Sequence, residues 1–299
     1  MSEDGTEDRP AGRPLPEDPE GALHYPGFTG PLAARRRAVL RETIEAFRRA
    51  DPPDRFHRIA SANLARWRSA SPSPKPSCRI RVLPGDWGEV TGALTREHGA
   101  CFAALNMANA HVPGGAYVEG AVAQEENMFR RTDCHFRVGP DEYDVERDRY
   151  LPEVTRLLTG RDGRVYLDTD RPRVCIRGPE DRSRADLGYA WLPEDRIFPF
   201  FELRSAAQDL RDGSAFDAPD ARRRIAAQLD TLAEHGVRHA VLGAFGCGAF
   251  RNPAHRIARI YRDEISARER HFDVIAFGIF NAGYGPDNYT PFAEAFAGG

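Results

Sequence analysis

The stretch ACFAALNMANAHVPGGAYVEG, residues 100–120, passes within a few positions from an unbroken apolar run to a polar loop holding a glycine pair. Residues 100–108 are too uniformly apolar for a strand with one wet face, so they read as a strand covered on both sides. In open α/β sheets a loop at the carboxyl end of such a strand is where ligands sit. Working outward, VAQEENMFRR (122–131) reads as a helix, and further strands are expected at 78–86, 173–178, 197–205, 239–246 and 272–280, with helices at about 219–235 and 253–269. Buried strands alternating with amphipathic helices predict an α/β fold, a three-layer α/β/α sandwich around a mostly parallel central sheet.

Upstream of this pattern the composition changes twice. Residues 1–30 are acidic, rich in Pro and Gly and poor in apolar side chains, which predicts a disordered leader. Residues 31–77 follow as an N-terminal helical extension: Leu32, Val39, Leu40, Ile44 and Phe47, then Ile59, Leu64 and Trp67, recur at helical spacing before the Pro/Ser linker SPSPKPS (71–77). The main α/β domain is expected over 78–299. The chain has 299 residues, 41% hydrophobic, enough for one large core.

Composition also excludes several classes. Apolar runs fall far short of the roughly 20 residues that span a bilayer, and the N-terminus lacks a basic and then apolar signal pattern. A cytoplasmic protein without a membrane partner is expected. Five cysteines, an odd number with no C-x-x-C, argue for reduced thiols and against a zinc site, and the nine histidines include no H-E-x-x-H, so neither a metal nor a cofactor is expected. A formal net charge of −3 gives no broad nucleic-acid footprint. The run Arg222, Arg223, Arg224 reads as a solvated helix face.

Two glycine loops stand at strand ends, NAHVPGGAYVEG (109–120) and GAFGCGAFRN (243–252). Glycine permits close backbone approach, and N–H groups before helix starts favour phosphate oxygens, so the pair suits a diphosphate. The competing reading is two ordinary tight turns. Neither loop is a G-x-x-x-x-G-K-[ST] or G-x-G-x-x-G fingerprint. Behind the first loop come Gln124, Glu125 and Glu126. Two acids in a first helical turn are explained by the helix dipole alone. Set beside a diphosphate cradle, however, neighbouring carboxylates raise the pKa of at least one, and a retained proton serves a departing oxygen. That combination predicts glycosidic chemistry on an ADP-ribose-type ligand.

PGGAYVEGAVAQEE (113–126) resembles the signature of the bacterial-type poly(ADP-ribose) glycohydrolases, three glycines followed six to eight residues later by Q-E-E. ALNMANAHVPGG and VLGAFGCGAFRNP are similar to the corresponding segments of that family. The resemblance implies a macrodomain with a mixed, mostly parallel sheet, acting as a monomer on ADP-ribose, poly(ADP-ribose) or ADP-ribosylated macromolecules. It implies Glu126 as catalytic acid on the ribose–ribose bond, Glu125 beside it on the ribose, Gln124 orienting the segment and Asn109 at the distal ribose. Gly114 and Gly115 would approach the diphosphate, Gly246, Cys247, Gly248, Ala249 and Phe250 would wrap the phosphates with Phe250 on the terminal ribose, and Tyr289 and Phe292 would lie on the adenine side. Ala116 replaces the third glycine, adding a Cβ and disfavouring a positive φ. Tyr117 either stacks on ligand or packs beneath the loop. His111 either meets phosphate or faces solvent, and Cys247 reads as a small buried residue rather than a nucleophile, having no histidine near it in sequence. Two alternatives to polymer cleavage stand: a hydrolase of mono-ADP-ribosylated protein or nucleic acid, and a reader that binds ADP-ribose without hydrolysis.

Overall fold

The structure, a computed structural model, describes residues 12–15, 28–71, 78–281 and 285–297. Most of the expected leader and residues 72–77 of the expected linker lie outside the described residues. Two helices, α1 (Pro31–Arg48) and α2 (Arg55–Ala70), precede β1 (Arg79–Pro84), α3 (Trp87–His98), β2 (Ala103–Met107) and α4 (Gln124–Arg131). A short pair, β3 (Tyr143–Asp144) and β4 (Arg149–Tyr150), leads to α5 (Pro152–Leu158) and β5 (Tyr166–Cys175). Then come β6 (Phe198–Ser205), α6 (Ala218–Glu234), β7 (His239–Leu242), α7 (Ala254–Ser266), β8 (Val274–Ile279) and α8 (Tyr289–Ala295).

Six strands form the main sheet in the order β1-β8-β7-β2-β6-β5. Every neighbouring pair is parallel except β5 with β6, which run antiparallel at the edge. The sheet is therefore mixed and mostly parallel, and the helices cover both of its faces. Alternation along the strands sends Ala103, Leu105, Leu242, Ile275 and Phe277 into a core shared with α6, α7 and α8. Phe102, Val241, Val274 and Ala276 face the other way, toward Val90 and Leu94 of α3.

The N-terminal helices pack into the same body. Leu40 and Ile44 of α1 and Trp67 of α2 share one apolar cluster with Ala104 of β2, Tyr117 and Phe129. At Gly120, with φ of +88°, a Cβ would lie 2.5 Å from the carbonyl oxygen of Ala33, so α1 rests directly on the backbone of the first glycine loop.

Phe292 corrects one expectation. Rather than reaching an adenine, its ring is fully buried, 5.1 Å from the Phe277 ring and 6.3 Å from the Tyr261 ring. An aromatic in a terminal amphipathic helix fills the core face of that helix. Phe292→Ala is expected to lower the unfolding free energy by about 3–5 kcal/mol, read by chemical denaturation.

Candidate active site

The start of α4 is fixed by side chains that complete neighbouring backbone. β2 pairs with β7 only at Ala103 and Ala104, leaving the next groups on that side without a strand. The Gln124 carboxamide takes the strand's place: its Nε2 donates to the Leu105 carbonyl at 2.8 Å, and its Oε1 accepts from the Met107 N–H at 2.9 Å. This locks α4 to the carboxyl end of β2.

The two glutamates then hold the glycine loop. Glu125 accepts from Asn109 N–H at 2.7 Å through Oε2 and from Gly114 N–H at 3.1 Å through Oε1. Glu126 Oε1 accepts from Ala116 N–H at 3.0 Å. Gly114 and Gly115 have φ of +71° and +57°. A Cβ on Gly115 would stand 2.5 Å from Glu126 Oε1 and 3.2 Å from Glu125 Oε2. The yielding backbone thus lets the loop fold down onto the carboxylates. Ala116 is not among the residues of positive φ, so the strain expected from replacing a third glycine is absent.

Both carboxyls are buried, and burial is the main reason both pKa values rise above the ordinary glutamate range. For Glu125 the charge of Glu126 is the next cause, with backbone N–H groups opposing the rise in both. Of the two oxygens of Glu126, only Oε1 takes a hydrogen bond from the loop, and the residue lines the adjoining cleft.

Beneath the loop Tyr117 is fully buried, and its hydroxyl lies 2.8 Å from His135 Nδ1. It supports the loop rather than stacking on ligand. Burial and then the charge of Arg48 push the His135 pKa down to about 4 from 6.5. A depressed histidine contributes stability that is present above pH 6.5 and lost as pH falls from there toward 4, because the unfolded chain takes up the proton first. Roughly 3 kcal/mol is at stake. Denaturant unfolding at pH 7 and pH 4.5 is expected to show this loss, and His135→Gln is expected to shrink it.

The cleft above the glutamates has a volume of about 870 Å³. It opens at the carboxyl ends of three adjacent strands, β8, β7 and β2. Asn109, Gly115, Ala116, Gln124, Glu125 and Glu126 line it from the β2 side, and Gly246, Gly248, Ala249 and Phe250 from the β7 side. Tyr289 lines it as well. Gly114 is buried under the loop against Tyr117 and Phe129. Cys247 is buried, with its Sγ 3.6 Å from the Phe245 carbonyl and its pKa pushed up by burial, so it is an inert core thiol. His111 is exposed and does not line the cleft. Arg222 pairs with Asp263 and Glu264 of α7 on the outer surface.

Several lining residues escaped the sequence reading. Phe280 and Asn281 follow β8, and Phe280 is a large exposed apolar side chain. Arg211 lies 5.0 Å over the ring of Phe250. Glu180 and Arg182 come from the segment 139–196, whose later part folds onto α1 through Glu180 with Arg36 and Arg177 with Glu42. The last residues of β8 were read as strand core, and a strand-end signal there would have flagged them.

Beneath Glu125, Glu202 of β6 is buried between Arg173 of β5 and Asn106 of β2, with contacts of 3.0 and 2.9 Å. Arg204 joins it and also donates to Glu142 at 3.0 Å. These partners keep Glu202 below the ordinary carboxylate range although it is buried, with Arg204 and Arg173 offsetting desolvation. The protonation difference between Glu202 and Glu126 therefore comes from partners rather than depth. Among the described residues no helix is long and apolar enough to cross a membrane, and no group of three His, Cys, Asp or Glu could hold a metal.

Comparison with known proteins agrees with this geometry. Residues 36–155 match the family described as microbial-type PARG, catalytic domain. No curated protein is significantly similar to the chain. Among solved structures, poly(ADP-ribose) glycohydrolase from Thermomonospora curvata is 23% identical with a TM-score of 0.60, over 87% of this chain and 99% of that one. The same enzyme bound to the inhibitor ADP-HPD gives a TM-score of 0.58. The Deinococcus radiodurans enzyme in complex with ADP-ribose is 21% identical with a TM-score of 0.52, over 82% of this chain and 92% of that one. Residues 36–155 are thus similar to the microbial-type poly(ADP-ribose) glycohydrolase catalytic domain, and the fold of the chain is the one these bacterial structures share.

Proposed function

We propose that the protein is an ADP-ribose glycohydrolase that cleaves the ribose–ribose bond of poly(ADP-ribose), with Glu126 as the general acid. The observation that carries this is the Glu126 carboxyl itself: raised in pKa, anchored through Oε1 by the Ala116 N–H, and turned to a cleft floored by two glycine loops. In this reading the loop amides after β2 and β7 cradle the diphosphate. Glu126 gives its proton to the leaving ribose oxygen as the bond to the anomeric carbon breaks, positive charge develops at that carbon, and water adds to it while returning a proton to the Glu126 carboxylate. Glu125 holds the loop through two backbone N–H groups and faces the ribose. Phe250 supplies an apolar wall for a ribose, and Tyr289 and Phe280 add further aromatic lining to the cleft. Five free thiols fit a reducing, cytoplasmic compartment.

Ala116 keeps an unstrained backbone and its N–H in place, so the missing third glycine is no argument against polymer cleavage. The test is ADP-ribose release by the purified protein, followed by chromatography, from defined poly(ADP-ribose) and from mono-ADP-ribosylated protein. Release from polymer supports the proposal. Release only from the mono-modified substrate moves the assignment to that class, and ADP-ribose binding with no release from either leaves a reader.

A further inference from the structure

We propose that Arg13, from the segment ahead of the helical extension, is a positioning residue for Glu126. Arg13 Nη1 donates to the Gly115 carbonyl at 2.7 Å. The same peptide unit carries the Ala116 N–H that donates to Glu126 Oε1 at 3.0 Å. A trans peptide points its C=O and N–H in opposite directions. Arg13 and Glu126 therefore grip one peptide plane from its two ends.

The arginine is itself over-determined. It is 4% exposed, and its other donors reach Glu119 at 2.8 Å and Asp148 at 2.6 and 2.7 Å. Its backbone N–H donates to the Tyr117 hydroxyl at 3.3 Å, and the preceding Gly12 N–H donates to the Val138 carbonyl at 3.0 Å. A guanidinium held this firmly can fix the carbonyl of a glycine that has no side chain to fix it. Charge on the acceptor side of a peptide polarises its N–H and strengthens the bond that N–H gives. The consequence at Glu126 is an Oε1 held in place and committed to the loop, so that the proton resides on the oxygen toward the cleft. The other charged groups around Glu126 are Glu125 and Arg130 on α4, Glu119 on the loop and Arg211 across the cleft, with Glu202 and Arg204 beneath Glu125.

This inference rests on the reading of Glu126 as the acid, and its test separates the two. Full-length wild type and Arg13→Met are compared for ADP-ribose release from polymer, for ADP-ribose affinity, and for hydrogen exchange at the Ala116 amide. Expected are a fall in kcat of tenfold or more, an affinity within threefold of wild type, and clearly faster Ala116 exchange. Unchanged kcat with unchanged exchange overturns the proposal, as does a loss confined to affinity, which would make Arg13 a ligand contact. Should Arg13→Met fail to fold, Arg13→Lys decides: partial recovery of Ala116 protection and of kcat supports the role, and full wild-type values without the bidentate contacts overturn it. A wild type that releases nothing sinks the glycohydrolase reading, while the exchange comparison still judges the hold of Arg13 on the peptide.

Discussion

Glu126→Gln is expected to lower turnover on poly(ADP-ribose) by about 10²–10⁴-fold, the usual contribution of a positioned general acid. Glutamine keeps the shape and can keep accepting from Ala116 N–H, so ADP-ribose affinity should stay near the wild-type value. The pH dependence gives a second readout. With its pKa raised chiefly by burial, Glu126 holds its proton to higher pH than an ordinary glutamate, and the rate falls as pH rises through that raised value. The glutamine variant should lack this limb. The stability sign runs the same way: a carboxyl raised in the folded state favours folding at low pH and loses that contribution as pH rises through the folded pKa. The variant is thus expected to be at least as stable as wild type at pH 8, measured by denaturant unfolding. A folded variant that keeps activity would remove Glu126 from the proposed role.

Gly115→Ala should be nearly as damaging, by another route. Its φ of +57° costs an alanine about 1–3 kcal/mol. Its Cβ would also need the space of Glu126 Oε1, 2.5 Å away, and of Glu125 Oε2. The loop or the acids must shift by a sizeable fraction of an ångström, and misplacement near 1 Å costs on the order of 10² in rate. A hundredfold loss of turnover with a modest fall in stability is expected. Ala116→Gly is the matched control. Because Ala116 already has an ordinary φ, restoring a third glycine should change turnover by no more than a few-fold. If the two substitutions behave alike, the loop is not held by the carboxylates in the way described.

The fold was legible where both faces of a strand are buried. Residues 100–108 carry no polar interruption until Asn106, and Asn106 turns out to serve the buried Glu202. The antiparallel edge was only half legible: the first part of β5, YLDTDRPR, is polar and partly exposed, with an irregular register between Asp168 and Arg173. α3 is absent from the elements expected from sequence, and two glycines, Gly88 and Gly92, lie within it. They are small because Arg131 and Phe198 press against them. At the site, the spacing from the glycine pair to Gln124, Glu125 and Glu126 placed the acids beside the loop. Arg13 could not be found this way, since what marks it is a contact made 102 residues along the chain. Phe292 and Phe280 show the converse. Two phenylalanines near a cleft look alike in sequence, and only the direction of the helix or strand end decides which is core.

The parallel centre of the sheet also sets the order in which the protein is made. β1 pairs along its whole length with β8, so a strand near the beginning waits for one near the end. At 5–20 residues per second, a ribosome needs roughly 10–40 s to bridge that interval. Throughout it, β1 lacks its only sheet neighbour among the described residues, and the face of α3 that carries Val90 and Leu94 lacks the β7 and β8 side chains that cover it. Cleft and core are thus completed together, late in synthesis, and the nascent chain passes through a long sticky interval in which chaperone capture competes with aggregation.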